Sequence, residues 1–325
     1  MMILRRIVLA AAGVALMHTL AIAQPGKVYR VGLVTVGGPG VQILGPGVAR
    51  DFAQRGYVEG QNIVFERRAA QGKVDSLPGL IDELVAAHVD VIITQSYPAA
   101  LAAKEHAGNT PIVVTFSGDP VATGLVASLA HPGGNITGVS EIAAELSAKR
   151  LAVLKEAVPS VRNVAVLWNA DDFGMTLRYQ SAEAEAKRSG MLIMPLGVRA
   201  PDDFDAAFSE ITKTPPDAIL MVTDVLTVLN RKRVIDFAAE HRLPAIYEYA
   251  NLVQDGGLMS YGPEVDAIFD RAVGLADRIL KGTKPADLPL ELPTRFELAI
   301  NLKTAKALGL TIPESIVVRA EDVVE

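Results

Sequence analysis

Short apolar runs alternate with helical patterns along almost the whole chain, and this alternation occurs twice in series. The helical patterns place apolar residues at i, i+3 and i+4, as in Leu77, Leu80, Ile81, Leu84 and Val85. Short strands that alternate with helices predict parallel βαβ units with helices on both faces of a sheet. The predicted fold class is therefore α/β, with two doubly wound parallel-sheet lobes joined by a hinge of several segments.

The two series divide the chain into lobes of similar size. Predicted strands of the first series lie at 28–35, 63–66, 89–94 and 111–115, and those of the second series lie at 164–168, 191–196, 218–222 and 245–247. A strongly amphipathic helix near 265–280 lies beyond the last strand that the second series needs, so we expect it to return to the first lobe. The predicted lobes are 24–142 plus about 258–286, and 143–257 plus about 287–325.

Composition excludes several classes of function. The chain has 325 residues, a net charge of −6 and no cysteine, which removes thiolate catalysis, Cys-ligated zinc and any electrostatic attraction to nucleic acid. The histidines are isolated, and Pro46 stands where a phosphate-binding loop requires Lys. No nucleophile elbow is present. These absences predict a protein that is not an enzyme and that has neither a cofactor nor a metal.

The first 23 residues have the features of a secretory signal peptide. Arg5 and Arg6 precede an apolar run at 7–17, and Ala21 and Ala23 supply small residues at the positions that a signal peptidase reads. The run is too short to cross a bilayer core of ~30 Å. Cleavage after Ala23 and export to the periplasm are predicted, giving a mature protein that is not embedded in the membrane.

Polar and aromatic residues follow the predicted strands in both lobes. Ligands of open parallel sheets bind where the carboxyl ends of the strands and their loops converge. Pro98 opens a helix there, and the free N–H groups of a helix start can receive a carboxylate. The candidate ligand-binding residues are Thr35, Gln42, Ser96, Tyr97, Pro98, Ala99, Phe116, Ser117, Trp168, Asn169, Asp171, Thr223, Asp224, Tyr247, Glu248 and Tyr261.

Several of these candidates also have a structural interpretation. Trp168 is either a wall for a flat ligand or part of the core. For Tyr261, too, both the cleft and the core remain possible. Asp224, at a strand end, either pairs with a ligand ammonium or caps the next helix. Ser117 lies in a turn that Asp119 can cap, and Glu248 belongs either to the cleft or to a hinge.

Six short segments in order give the chain a resemblance to a known family. They are Gly56-Tyr57-Val58-Glu59-Gly60-Gln61-Asn62, Pro98-Ala99-Ala100-Leu101-Ala102-Ala103-Lys104, Gly118-Asp119-Pro120-Val121, His131-Pro132-Gly133-Gly134-Asn135-Ile136-Thr137-Gly138, Gly257-Leu258-Met259-Ser260-Tyr261-Gly262 and Asn301-Leu302-Lys303-Thr304-Ala305-Lys306. Over residues 28–325 the sequence resembles the ABC-transporter substrate-binding family that includes tryptophan-binding TrpX-like proteins. The resemblance implies a type I periplasmic-binding-protein fold that closes on its ligand.

The resemblance also implies partners and one residue role. A small solute, an ABC permease and its ATPase are the implied partners of a monomeric protein. In members that bind aromatic amino acids, the Asp of a Thr-Asp pair holds the amine, and Thr223-Asp224 matches that pair. Tyr97 stands where those members have a Thr before the Pro-Ala-Ala segment. The identity of the solute is therefore not carried over from the family to this chain.

Other uses of the same fold class remain as alternatives. A periplasmic receptor for a membrane-bound signalling protein would have the same sequence features. A repressor would need an N-terminal helix-turn-helix where this chain has its apolar leader, and an enzyme would need a nucleophile–base pair or a metal set. The leading prediction is capture of an amino acid or an aromatic or organic acid for import.

Overall fold

The computed structural model describes residues 27–37 and 46–325, so the predicted signal peptide and Gln42 lie outside the described residues. The described strands are β1 (Tyr29–Thr35), β2 (Ile63–Ala69), β3 (Val91–Gln95), β4 (Ile112–Thr115), β5 (Ile136–Gly138), β6 (Asn163–Asn169), β7 (Leu192–Val198), β8 (Ala218–Met221), β9 (Ala245–Tyr247), β10 (Met259–Pro263), β11 (Phe296–Asn301) and β12 (Asp322–Val324). The described α-helices are α1 (Pro46–Gln54), α2 (Leu77–Ala86), α3 (Tyr97–His106), α4 (Ala143–Ala157), α5 (Phe173–Arg188), α6 (Asp203–Lys213), α7 (Val225–Leu229), α8 (Arg231–Glu240), α9 (Ala250–Gln254), α10 (Val265–Leu280), α11 (Leu302–Ala307) and α12 (Glu314–Val317).

The first lobe is built on a parallel sheet with strand order β2-β1-β3-β4-β5. Alternate residues of β1 point to opposite faces, as the period of a strand requires. Val31 and Leu33 pack with Phe52 of α1 and with α10, whereas Val34 packs with α2 and α3. Both faces are therefore covered by helices, as the apolar runs predict.

The second lobe contains a seven-stranded sheet with order β12-β11-β10-β9-β8-β6-β7. Val164 and Val166 of β6 face a cluster that includes α4 and α5, while Ala165 and Leu167 face α6 and α8. The pairing of β10 with β11 is antiparallel, and the other strand pairs described in this sheet are parallel. The predicted pair of doubly wound lobes is confirmed.

Three segments connect the lobes. The chain crosses between β5 and α4, between β10 and α10, and again between α10 and β11. Val139 forms an isolated parallel bridge with Glu291, and the N–H of Glu264 donates to the carbonyl of Arg295 over 3.2 Å. Because the crossing segments bond to one another, they form the multi-segment hinge that the fold class requires.

The helix near the chain's end returns to the first lobe, but the strand before it does not. Helix α10 packs against α1 and the first sheet through Phe269 and Val273. Strand β10 pairs with β9 and β11 of the second sheet. The predicted first-lobe range 258–286 therefore starts too early, because residues 259–263 extend the second sheet before the chain crosses.

Element boundaries differ from the prediction in two informative places. The sequence pattern predicts a single helix over 226–241, but the structure forms two helices there, α7 and α8, which meet at Asn230. The amide of Asn230 donates to the carbonyl of Leu226 over 3.0 Å and marks the break. Strands β11 and β12 were not predicted. β11 joins the sheet antiparallel to β10, outside the βαβ pattern, and β12, parallel to β11, has only three residues.

Gly262→Ala is expected to lower the free energy of unfolding by about 1–3 kcal/mol. A Cβ at this position would lie 2.1 Å from the carbonyl oxygen of Glu248, a backbone atom that cannot move alone. Gly79→Ala in helix α2 is the matched control, since no described atom lies within 4 Å of its added Cβ. That variant should gain up to about 1 kcal/mol from helix propensity. Urea unfolding compares the two, and equal stabilities would contradict the close approach.

Candidate functional site

The carboxyl ends of the two sheets face each other where the lobes meet. The ring of Tyr97, at the start of α3, lies 6.5 Å from the ring of Phe173, at the start of α5. Phe116 follows β4 and contacts Tyr249 edge-on at 6.0 Å. A Cβ placed on Gly174 would lie only 3.6 Å from the Cβ of Tyr97. The lobes therefore touch along the edge where the sequence predicts a ligand.

Two first-lobe residues at this edge have left-handed backbone conformations. Ser96, directly after β3, has φ 91°, and Phe116, directly after β4, has φ 51°. A non-glycine residue in such a conformation costs about 1–3 kcal/mol and persists only where its surroundings impose it. Strained backbone of this kind clusters at functional sites. Both residues were predicted from their positions at strand ends.

The same loops carry buried polar atoms that lack partners. Among the described residues, no hydrogen bond satisfies Oε1 of Gln95, Oγ of Ser96 or Oγ of Ser117. Each unpaired buried polar group costs about 1–3 kcal/mol. Ser96 also precedes α3 without capping it, so the N–H groups of the first helical turn stay available. These groups together suit the polar end of a solute.

In the second lobe, Asp224 caps helix α7 and points its other oxygen to β6. Its Oδ1 accepts from the N–H of Thr227 over 2.9 Å, and its Oδ2 accepts from the amide of Asn169 over 2.6 Å. Burial raises the pKa of Asp224, although these hydrogen bonds oppose the rise. The helix cap weighed from the sequence is formed. Oδ1 also accepts from the hydroxyl of Thr227 over 3.1 Å, so Oδ2 is the oxygen that keeps a lone pair for a further donor.

Asp172 is a second carboxylate at the same edge. It caps helix α5 by accepting from the N–H of Met175 over 3.2 Å, and only 4% of its surface is exposed. Burial, followed by the charge of Asp224, raises the pKa of Asp172 to about 6. Two neighbouring carboxylates at the ends of adjacent strands therefore border the lobe interface.

A buried ionic network lies behind these carboxylates. Arg178 of α5 donates to Glu248 over 2.8 Å and to Glu141 over 2.9 Å, and Arg150 of α4 donates to Glu248 over 2.9 Å. All four side chains are at most 2% exposed. Burial alone would lower the pKa of Arg178, but Glu248 and Glu141 hold it above its ordinary value. The two cations and two anions balance.

Glu141 extends this network across the hinge. It lies on the first crossing segment, beside Ile142 with its left-handed φ of 47°. Its Oε2 accepts from the N–H of Gly118 in the first lobe, over 3.2 Å, and from Arg178 in the second. Its Oε1 accepts from the hydroxyl of Tyr249 over 2.8 Å. One carboxylate thus ties together both lobes and the hinge.

The structure brings most of the predicted candidates to the lobe interface or its strand edges. Thr35 lies beside Gln95 in the parallel register of β1 and β3, and its Oγ1 accepts from the N–H of Gly37. Glu248 is at the interface but is committed to two arginines. The candidates that lie at or shortly after a strand's carboxyl end, or at the start of α3, are Thr35, Ser96, Tyr97, Pro98, Ala99, Phe116, Ser117, Asn169, Thr223, Asp224 and Glu248. Their contact with a ligand stays a prediction.

Two aromatic candidates lie in the core instead. Trp168 stacks on Tyr179 at 3.9 Å and belongs to the cluster between β6 and α5. Tyr247 is fully buried among the side chains packed on the other face of the second sheet. In both cases the alternation of side chains along a strand turns the residue toward the helices. The core alternative weighed for Trp168 matches its position, and Tyr247 also lies in the core rather than at the cleft or hinge considered for it.

Two further candidates lie away from the interface contacts. Asp171 is exposed and pairs with Arg199 over 3.1 Å. Tyr261 stacks at 6.3 Å on Phe296, which lies two residues along the antiparallel strand β11 from Leu298, the register partner of Tyr261. Asp171 directly precedes the capping residue Asp172, and Tyr261 packs within its sheet. Their roles in ligand binding stay predictions.

Sequence reasoning missed Asp172, Glu141, Arg150 and Arg178. The two arginines carried a usable signal: Arg150 lies four residues after Leu146 and four before Leu154, on the apolar face of its helix. Arg178 shares the apolar face of its helix with Ala182 and Ala186. A cation on a buried helix face indicates a buried partner, which these residues have.

Two features are absent from the part of the chain that the structure describes. Within 27–37 and 46–325, no group of three or more His, Cys, Asp and Glu side chains is arranged to hold a metal ion. Within the same ranges, no helix combines the length and apolar character needed to cross a bilayer.

Comparison with known proteins places this architecture among solute-binding proteins. A family model described as ABC transporter substrate binding protein matches residues 31–324. A tyrosine-binding protein of Clostridioides difficile (strain R20291) is 28% identical over 265 residues, which cover 81% of this chain and 76% of that protein.

Solved structures share the fold over nearly the whole described chain. A conserved domain protein from Vibrio cholerae has a TM-score of 0.86 at 25% identity, covering 91% of this chain and all of the other. An ABC domain in complex with L-Trp from Streptococcus pneumonia has a TM-score of 0.85 at 23% identity, covering 92% of this chain and all of the other. Both similarities extend across the two lobes.

Proposed function

We propose, from the premise that the chain belongs to the family of ABC transporter substrate binding proteins, that it captures an amino acid between its lobes for import. The observation that carries this proposal is the pairing of opposite chemistries across the interface. The start of α3 in the first lobe suits a carboxylate, and the hydroxyl of Ser96 beside it has no hydrogen-bond partner among the described residues. Asp224 in the second lobe suits an ammonium.

A zwitterionic solute satisfies both ends at once. The carboxylate accepts N–H and O–H donors of the first lobe, and the ammonium donates to the carboxylate of the second. Closure of the lobes around such a solute buries charges only in paired form, which avoids the cost of an isolated buried ion. The tyrosine-binding relative supports an amino acid with an aromatic side chain.

Export and partners complete the proposal. Residues 1–23 are a signal peptide cleaved after Ala23, and the mature protein is a periplasmic monomer that is not an enzyme. A permease and its ATPase receive the solute-loaded protein. Uptake of labelled solute by cells that carry or lack this gene tests delivery, and binding without uptake would favour a signalling role.

A thermal-shift series tests the class of solute. Each aromatic L-amino acid is compared with its α-hydroxy acid, with its decarboxylated amine and with hexoses. A saturating amino acid stabilises the folded state by about 2.7 kcal/mol at roughly one hundred times its Kd, which raises the Tm by several degrees. The hydroxy acid and the amine each lose one charged contact and should give much smaller shifts. A shift with hexoses or with hydroxy acids alone would overturn the amino-acid proposal.

A further inference from the structure

The first crossing segment contains a short hinge where the chain passes from one lobe to the other. The N–H of Ser140 donates over 2.9 Å to the carbonyl of Glu291, on another crossing segment, and α4 of the second lobe begins at Ala143. Glu141 and Ile142 lie between these two fixed points. Rotation about their backbone bonds changes the direction of α4 relative to the first lobe, which is how hinge residues act.

Ile142 has a strained backbone at this hinge. Its φ of 47° and ψ of 38° are left-handed, which is a genuine outlier for a β-branched residue. It is the N-cap of α4, a position that usually has extended backbone and a capping side chain, and its side chain makes no capping hydrogen bond. Such a conformation persists only where the surrounding structure imposes it. The contacts next to Ile142 must therefore hold it in place.

The side chain of Glu141 supplies these contacts. It is 1% exposed, and its carboxylate accepts three hydrogen bonds. The donors are the N–H of Gly118 in the first lobe, and Arg178 and the hydroxyl of Tyr249 in the second lobe. Because the donors belong to both lobes, the three bonds fix the carboxylate between the lobes and fix the adjacent backbone of Ile142.

These bonds require a close approach of the two lobes. A Cβ added to Gly118 would lie 3.9 Å from Nη2 of Arg178 and 4.0 Å from the Cα of Gly174, both on α5. The carboxylate of Glu141 reaches both lobes because the loop after β4 lies this close to α5. When the lobes part, Glu141 must lose its bond to one lobe, and a hydrogen bond to a charged group is costly to lose.

We propose that Glu141 is a positioning residue that latches the lobes together, and that the backbone strain of Ile142 opposes this latch. Closure forms the bonds of Glu141 and imposes the strain, whereas opening releases the strain and breaks a bond. The two effects have opposite signs, so the lobes can part without either of them unfolding. Glu141 thus sets the affinity for a solute through the closed fraction of the protein, without contacting the solute.

Distances between spin labels, measured without solute, test the latch. The chain has no cysteine, so Glu105→Cys and Lys187→Cys place one label on each lobe. Both positions are exposed and lie late in α3 and α5, the helices that start against each other at the lobe interface. Pulsed electron paramagnetic resonance then gives the fractions of short and long distances, which correspond to closed and open protein.

Glu141→Asp is expected to lower the ratio of closed to open protein by about tenfold or more, the worth of a charged hydrogen bond. Aspartate keeps the negative charge beside Arg178, but it is one methylene shorter and cannot reach donors in both lobes. Ile142→Gly is expected to raise the ratio by about tenfold, because glycine adopts the left-handed conformation without strain. Added to Glu141→Asp, it should restore the lost closed fraction.

Arg242→Gly is the matched control for the relief of strain. Arg242 has a φ of 55° and is exposed just after α8, away from the hinge. Added to Glu141→Asp, it should leave the label distances unchanged. Equal distances in wild-type and Glu141→Asp protein would overturn the latch, as would rescue by Arg242→Gly as complete as that by Ile142→Gly. Failure of all amino acids to bind would instead overturn the proposed solute, since no solute enters this measurement.

Discussion

Arg178→Met is expected to lower the free energy of unfolding by about 3–5 kcal/mol, the cost of removing one partner from a buried ion network. Arg178 donates to Glu141 and Glu248, which are both nearly inaccessible to solvent. Without the guanidinium, Glu141 keeps only its bonds to Gly118 and Tyr249, and Glu248 keeps only Arg150. Two buried carboxylates would then share one cation, so the loss exceeds that of any single hydrogen bond.

Arg188→Met on the same helix is the matched control. Arg188 pairs with Glu185 over 2.7 Å, but its side chain is 71% exposed. Exposed pairs contribute about 0–1 kcal/mol, so this variant should unfold close to the wild type. Urea unfolding of both variants, followed by circular dichroism, gives the comparison. Equal, small losses would show that the buried network does not stabilise the fold.

The ionic network also links the two lobes, because Glu141 lies on a segment that crosses between them. Glu141 lies on a crossing segment and bonds to Gly118 of the first lobe and to Arg178 of the second. Separating the lobes must break the bond of Glu141 either to Gly118 or to Arg178, whereas the bonds of Arg178 to Glu248 and of Arg150 to Glu248 lie within one lobe. The network therefore holds Arg178 in place within α5, the helix that Asp172 caps.

Periodicity and topology explain why the fold was predictable. Apolar runs of strand length and helices with one apolar face require buried parallel sheets, and the described sheets have that form. The strand β10 was assigned to the wrong lobe because sequence order cannot say where a crossing begins. Its antiparallel partner β11 is about 35 residues away along the chain, and that pairing is a tertiary choice.

The positions of the candidate residues at strand ends were predictable from the sequence, but the directions in which their side chains point were not. Strand ends mark the edge of a sheet, yet consecutive residues point to opposite faces. Trp168 therefore enters the core while Asn169 reaches Asp224, and Tyr247 enters the core while Glu248 meets the arginines. Pairs such as Arg178 with Glu248 join residues far apart in sequence, so only the folded structure reveals them.

Asp224→Asn is expected to weaken binding of the solute by about tenfold to a hundredfold. The contact between a carboxylate and an ammonium is charge-assisted and contributes about 1.5–3 kcal/mol. Asparagine keeps the shape and still offers one oxygen to the N–H of Thr227, so the cap on α7 survives. Its free energy of unfolding should stay within about 1 kcal/mol of the wild-type value. The loss should therefore fall on affinity, measured by calorimetry with the best solute of the thermal-shift series.

The hydrogen bonds around Asp224 determine what else the substitution changes besides the charge. The amide of Asn169 donates to Oδ2 of Asp224, and its own carbonyl accepts from the N–H of Asp171 over 3.1 Å. If the new side chain keeps its oxygen on the N–H of Thr227, its NH₂ group faces the NH₂ group of Asn169, and neither can accept from the other. The ammonium of the solute then meets a donor instead of a carboxylate oxygen, and the negative charge is also gone. Asp171→Asn serves as the control, because it removes a neighbouring charge that is exposed and paired with Arg199. Normal affinity in Asp224→Asn would leave Asp224 with capping as its whole role, and would direct the search toward uncharged or purely acidic solutes.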